Sequence, residues 1–250
     1  MNYDKTNMPA AYDAGRGYSP GVLAYWLEVI AQSVPRGSVS EILDLGCGTG
    51  RYSNALADFY DANLIAIDPS EKMLAEARRK ASSRVRCERA SAESLPLPNA
   101  SVDMAFISMA FHHFEHPDRA VAECRRVLRP DGSVCLRAGT IDRIDSYAYV
   151  DFFPGSRPIL HRALQSQAFI ESTFTGAVFK LVRHELIPSE AAENWIAYAE
   201  KLAYRADSIL VQLSDREFDQ GLAALREHAK TTPPNAPVVE PVDFFVFRPV

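Results

Sequence analysis

The chain is expected to fold as an α/β protein on a doubly wound, mostly parallel sheet of seven strands, and three observations carry that expectation. Strand and helix patterns alternate from residue 19 to about 140, as a parallel sheet covered on both faces requires. A short apolar strand, Glu41 to Leu45, runs directly into the alternate glycines Gly46, Gly48 and Gly50, a strand-to-helix turn where backbone can approach a ligand closely. A second apolar strand, Asn63 to Asp68, ends on an acid at the sheet edge where open parallel sheets place their ligands.

The elements follow in order. Ser19 to Val34 reads as a lead-in helix, stopped by Pro35 and Gly37. Strand 40–45, helix 50–60, strand 63–68 and helix 70–82 come next, then strands Arg84 to Arg89 and Val102 to Ser108. Pro117 to Leu128 places Ala120, Val121, Cys124, Val127 and Leu128 at helical spacing. Arg129-Pro130-Asp131-Gly132 is a turn into a fifth strand, Ser133 to Ala138. Beyond Gly139 the alternation breaks, and the run to about Gly176 reads as helical with irregular stretches around Pro154, Gly155 and Pro158. Ala177 to Ile187 reads as a strand, Pro188 to Tyr204 and Ser214 to Lys230 as helices, and the Pro-rich loop 232–237 leads to a last aromatic strand, Val242 to Phe247.

Composition narrows the function classes. With 250 residues, 47% apolar and 24% charged, the chain can bury a sizeable core. Its formal charge of -5 disfavours a broad phosphate-binding face, so no nucleic-acid partner is expected and small molecules gain weight. No apolar run approaches the ~20 residues of a membrane span, and Met1 to Pro9 lacks the basic start and apolar middle of a secretion signal. The expected location is the cytoplasm, with no membrane partner. Cys47, Cys87, Cys124 and Cys135 form no C-x-x-C pair and no His stands at metal-ligand spacing, so they are expected reduced and mostly buried, with no metal site.

Spacing in the glycine loop separates two cofactor classes. The dinucleotide fingerprint G-x-G-x-x-G places its third glycine where this chain has Arg51. The pattern is instead G-x-G-x-G, preceded by Asp44 inside the strand, and Asp68 lies eighteen residues past Gly50. The run Asp44-Leu45-Gly46-Cys47-Gly48-Thr49-Gly50 resembles the first motif of the class I S-adenosylmethionine-dependent methyltransferases. Three further stretches are similar to that family. Asp68-Pro69-Ser70-Glu71-Lys72-Met73 matches the acid that ends the second strand. Ser91-Ala92-Glu93-Ser94-Leu95-Pro96 matches a loop written D-A-x-x-L-P, with Ser91 where the acid is expected. Ser101 to Phe114, with Glu123 to Gly132, resembles the post-fourth-strand loop and the R-x-L-x-P-x-G turn of the small-molecule branch, the methyltransferase type 11 or UbiE-like proteins.

The resemblance covers roughly residues 40 to 140 and implies a Rossmann-like methyltransferase fold whose last strand is antiparallel. It implies S-adenosylmethionine as cofactor and S-adenosylhomocysteine as product. Asp44, Gly46, Cys47, Gly48, Gly50 and Ser108 would then face the cofactor, Asp68 its ribose, and Met73, Ser91, Ala92 and Glu93 its adenine. As one domain over 1–250, the chain would divide into lead-in and lid helices (1–38), a cofactor-binding core (39–140), helical substrate-covering elements (141–230) and the last strand (238–250).

His112 and His113 sit just beyond the carboxyl end of strand four, where either could act as general base for a hydroxyl, amine or thiol acceptor. The acceptor pocket is expected from Tyr12, Arg16 and Tyr18 in the N-terminal segment and from Arg143, Tyr147, Phe153, Trp195 and Tyr198 beyond strand five. Such an aromatic wall with guanidinium groups suits a partly apolar, anionic small molecule. The expected reaction is in-line methyl transfer to an O, N, S or C atom of a small molecule, chiefly through proximity and desolvation. The alternatives are an NAD(P)-dependent oxidoreductase, which Arg51 disfavours, and a catalytically silent cofactor- or partner-binding module on the same fold.

Overall fold

The computed structural model describes residue 4 and residues 8–250. Its centre is a seven-stranded sheet in the order β3-β2-β1-β4-β5-β7-β6. The strands are β1 Glu41–Leu45, β2 Asn63–Asp68, β3 Val85–Arg89, β4 Val102–Ser108, β5 Leu128–Ala138, β6 Phe179–Ala192 and β7 Val238–Pro249. β1 to β5 pair in parallel, and β7 runs antiparallel to both β5 and β6. The doubly wound sheet with an antiparallel last strand is therefore present.

Because successive strand residues point to opposite faces, Ile42 and Leu43 enter two different cores, as do Phe244 and Phe245. On one face Trp26, Ile30, Leu56 and Tyr60 from helices α2 (Pro20–Ala31) and α3 (Ser53–Tyr60) pack against Ile42, Phe106 and Phe244. On the other, helices α5 (Pro117–Val127) and α7 (Gln167–Gly176) bring Val121, Cys124 and Phe174 onto Leu43, Ile67 and Phe247. A third apolar layer, with Phe153, Leu160, Tyr198 and Leu225, joins helices α6 (Ser156–Ala163), α8 (Trp195–Ala203) and α9 (Asp215–Thr231). Side-chain caps fix several helix starts: Ser19 on α2, Ser70 on α4 (Glu71–Lys80), Asn194 on α8, and a Ser214–Glu217 capping box on α9. Among the described residues no helix is long and apolar enough to cross a membrane.

Several boundaries differ from the sequence reading, among them those of β6, β5 and β7, which runs from Val238 to Pro249 and not only from Val242 to Phe247. β6 does not stop at Ile187 but continues to Ala192, so Pro188 opens no helix; it pairs with Pro241. β6 is an edge strand, the place in a sheet where a residue without an N–H is tolerated. The turn residues Arg129 to Gly132 lie inside β5 as an irregularity, since Val102 pairs with Leu128 and Met104 already with Ser133.

Candidate active site

Two cavities lie at the carboxyl edge of the sheet. The outer one, of about 220 Å³, is framed by the glycine loop and the ends of β1, β2 and β4. All three loop glycines have positive φ, 72° at Gly46, 55° at Gly48 and 73° at Gly50. A Cβ at Gly46 would stand 2.5 Å from the Ala110 Cβ, and one at Gly50 would stand 3.2 Å from that of Ala77. At Gly48 the same position meets nothing within 4 Å, so that glycine keeps open the space a ligand would fill.

Asp68 ties the loop to the second strand. Its Oδ2 accepts from the Gly48 N–H at 2.9 Å and its Oδ1 from the Ser70 N–H at 2.9 Å, leaving lone pairs on both oxygens for a diol. Burial raises its carboxyl above the usual range, against the pull of these two bonds. Asp44 is buried at the end of β1 and accepts from the Ser53 hydroxyl at 2.6 Å. Burial, reinforced by the charge of Asp68, pushes it up to about 6.

The outer cavity gathers Asp44, Gly46, Cys47, Gly48, Asp68, Met73, Ser91, Ala92, Glu93 and Ser108. Gly50 is outside its lining and serves close packing on Ala77. Glu93 is already engaged: its Oε1 accepts from the Glu115 and His116 N–H groups at 3.0 and 3.2 Å, just before α5.

The inner cavity, of about 110 Å³, lies against the ends of β4 and β5 under the third apolar layer. Tyr12, Arg16, Tyr18, Tyr147, Tyr198, His112 and His113 line it. Arg143, Phe153 and Trp195 do not. Phe153 is buried against Tyr149 and Phe218, Trp195 packs on Phe152, Tyr198 and His228, and Arg143 stands on a 3-10 turn outside the lining. Aromatic spacing beyond β5 mixes cavity wall with ordinary core, which one-dimensional pattern does not separate.

Tyr12, Met109 and His113 border both cavities and so mark their junction. Met109 has φ 53°, a strained left-handed conformation for its side chain, at the turn leaving β4. Burial lowers His113 to about 4 and holds His112 well below its ordinary value, His113 contributing to the latter. Both imidazoles are neutral at pH 7.

Helix α1 (Met8–Arg16) closes over the glycine loop. Asp13 accepts from the Thr49 hydroxyl and from Lys80, and Arg51 donates to the Arg16 carbonyl while its guanidinium lies over the rings of Tyr12 and Tyr18. Arg16 pairs with Asp207 at 3.0 Å, and Lys201 donates to the carbonyls of Gly17 and Ala191 at 2.9 and 2.6 Å. The residue that breaks the dinucleotide spacing thus anchors the segment that covers the site.

Arg51, Met109, Arg137 and Lys201 line these cavities without having been singled out as site residues. For Arg137 a signal existed: a guanidinium inside Val134 to Ala138, a strand otherwise buried on both faces.

Residues 43–136 match the family described as methyltransferase domain. The chain is 36% identical over 143 residues to a malonyl-[acyl-carrier protein] O-methyltransferase of Methylococcus capsulatus, covering 52% of each chain. It spans about half the length, or less, of the curated relatives it matches. Among solved structures, a candidate methyltransferase from an antibiotic biosynthesis pathway of Anabaena variabilis superposes with a TM-score of 0.74 at 23% identity, over 91% of this chain and 97% of that one. A phosphoethanolamine N-methyltransferase of Haemonchus contortus, in complex with S-adenosylhomocysteine, gives 0.66 at 19% identity, over 99% and 59%. Both share the fold. With the glycine loop, the strand-end acid and the sheet order together, residues 43–136 match a methyltransferase domain on a fold shared with solved methyltransferases.

Proposed function

We propose that the protein transfers the methyl group of S-adenosylmethionine to an O, N, S or C atom of a small molecule seated in the inner cavity. The observation that carries this reading is the shared border of the two cavities at Tyr12, Met109 and His113, which gives donor and acceptor a common meeting point. In this reading Asp68 holds the ribose hydroxyls, Asp44 and the Gly46–Gly48 backbone face the methionine end, and Met73, Ser91 and Ala92 flank the adenine. Residues 1–38 act as lid, 39–140 as cofactor-binding core, 141–230 as acceptor cover and 238–250 as closing strand, all in one cytoplasmic domain.

The cofactor supplies an electrophilic methyl on a sulfonium, and the protein's own task is alignment and exclusion of water. Orientation of two bound reactants is worth up to ~7 to 11 kcal/mol, enough to carry most of such a displacement. Neutral His112 and His113 suit that task, because an imidazolium at the junction would repel the sulfonium. An imidazole lowered to about 4 is a weak proton acceptor at neutral pH, so His113 serves better as a hydrogen-bonding wall than as a strong base. Relatives named for O- and N-methylation, of a malonyl group and of phosphoethanolamine, support methyl transfer without specifying the atom used here.

The test is calorimetry with S-adenosylhomocysteine on the full chain, followed by transfer of labelled methyl to a panel of small acceptors. Binding in the micromolar range is expected, weakened at least tenfold by Asp68→Ala. No binding heat at millimolar ligand sinks the reading, and binding without transfer to any acceptor favours a silent module.

A further inference from the structure

Arg137 occupies an unusual position. It is the penultimate residue of β5, in register with Ser108 at the end of β4, and only 1% exposed. Its Nη1 donates to the Ser108 hydroxyl at 2.7 Å. The guanidinium carbon lies 3.8 Å from the Trp26 ring centre, 5.0 Å from that of Tyr52 and 5.4 Å from that of Tyr18. Among the described residues its buried Nε has no hydrogen-bond partner. Among the described residues no carboxylate comes within 4.0 Å of it.

A guanidinium cannot shed its proton, so a buried one keeps its charge and needs an answering group. The carboxylates on the inner cavity do not provide one. Asp207 is taken by Arg16 and by the N–H groups of Ile209 and Leu210, and Glu240 by the Tyr198 hydroxyl and the Ala148 N–H. Glu190 borders the cavity but makes no ion pair with Arg137. The nearby cations add to the positive charge: among the described residues Arg51 donates to a carbonyl and lies over aromatic rings, Lys201 donates to two carbonyls, and neither forms an ion pair within 4.0 Å. Tyr18 registers the resulting field. Burial alone would raise its phenol, yet the charges of Arg137, Arg51 and Arg16 bring it down to about 7. Aromatic faces, the Ser108 hydroxyl and a hydrogen bond with the Tyr18 phenol soften the Arg137 charge, and no carboxylate among the described residues pairs with it.

A guanidinium takes a carboxylate in a two-pronged grip through two of its N–H groups. Arg137 borders the inner cavity and is absent from the lining of the outer one, which puts it on the acceptor's side of the junction. We propose that Arg137 is the docking point for a carboxylate on the methyl acceptor, which makes the acceptors carboxylate-bearing small molecules. This rests on the methyl-transfer reading and deepens it: the carboxylate anchors the acceptor at Arg137 in the inner cavity, while the junction at Met109 and His113 sets where the donor meets it.

The proposal is tested on the full chain saturated with S-adenosylhomocysteine, titrated with benzoate, hexanoate and their primary amides. Calorimetry and the fluorescence of Trp26, which stacks on Arg137, report binding. Expected is at least tenfold tighter binding of each carboxylate than of its amide. That preference disappears in Arg137→Met and is reduced in Arg137→Lys, which keeps a charge but lacks the fork, while S-adenosylhomocysteine affinity stays within twofold in both. Equal binding of acids and amides by the unaltered protein overturns the proposal, and so does a preference that survives in Arg137→Met. A tenfold loss of S-adenosylhomocysteine affinity in the variants also overturns it, because the guanidinium would then serve the cofactor's own carboxylate. Should Arg137→Met fail to fold, the acid-amide comparison in the unaltered protein and in Arg137→Lys decides. Failure of S-adenosylhomocysteine to bind at all sinks the methyl-transfer reading instead, so the two failures are distinguishable.

Discussion

Asp44 carries a conflict between stability and binding. Its carboxyl titrates near 3.8 when solvated and about 6 when folded, so the native state holds more protons than the unfolded one between those values. The contribution of this group to stability is therefore fully favourable only at low pH and falls as pH rises from about 4 to 6. At pH 7 the folded protein keeps a buried carboxylate answered by the Ser53 hydroxyl. Asp44→Asn removes that charge and is expected to stabilise the ligand-free protein at pH 7 by about 1 to 3 kcal/mol, the order that a shift of ~2 units implies. The same change should weaken S-adenosylhomocysteine at least tenfold, because the ammonium of its methionine end loses its counter-charge. In the unaltered protein, affinity should fall as pH drops below 6, and in the variant that slope should flatten. Thermal unfolding at pH 5 and 7, paired with calorimetry across pH 5 to 8, checks both halves; a variant that binds as tightly as its parent removes Asp44 from the site.

At the scale of elements, the contact of α1 with the glycine loop governs access. Thr49 is fully buried, and its hydroxyl bond to the Asp13 carboxylate is charge-assisted, worth about 1.5 to 3 kcal/mol. The Asp13–Lys80 pair is more exposed and contributes little beside it. Asp13→Ala should therefore raise the dissociation rate of S-adenosylhomocysteine roughly tenfold or more, and loss of that bond should lower the unfolding midpoint by about 3 to 12 °C with the sheet core intact. Stopped-flow displacement measures the rate; an unchanged rate means that α1 does not gate the cavity. This scale also shows what sequence can and cannot reveal. β1, β2 and β5 are legible because each is an apolar run that ends at a glycine or an acid, whereas β3 and β4 carry no such stop and are placed by the alternation of strand and helix patterns around them. The end of β6 is not legible, because Pro188 reads as a helix start in one dimension and is an edge-strand residue only once β7 pairs with it. The glycine loop and Asp68 were legible for the same local reason, whereas the division of aromatic residues between cavity and core depends on how α6, α8 and α9 pack.

The whole molecule places every element that meets a ligand at one sheet edge. β1, β2 and β4 supply the outer cavity, and β5, β6, β7 and the turn after β4 the inner one; Tyr12 of α1 borders both, and the third apolar layer lines the inner one. That geometry explains why Arg137 escaped a local reading: its neighbours Trp26, Tyr52 and Ser108 come from three separate elements that only the completed sheet brings together. It also fixes what ligand binding should do to the whole. A ligand held at a hundred times its dissociation constant, and bound by the native state alone, stabilises that state by about 2.7 kcal/mol. For a chain of this size each kcal/mol shifts the midpoint by about 2 to 4 °C, so S-adenosylhomocysteine should raise Tm by roughly 5 to 11 °C. Because α1 is tied to the glycine loop and to α4 and α8 through Asp13, Lys80 and Lys201, the added protection from amide exchange should appear in α1 and at the carboxyl ends of β1, β2 and β4. The β6–β7 pair, bound by its own antiparallel ladder and remote from the outer cavity, should change little. A Tm rise without protection in α1 would mean that the ligand is held by the core alone and that the lid contacts are incidental.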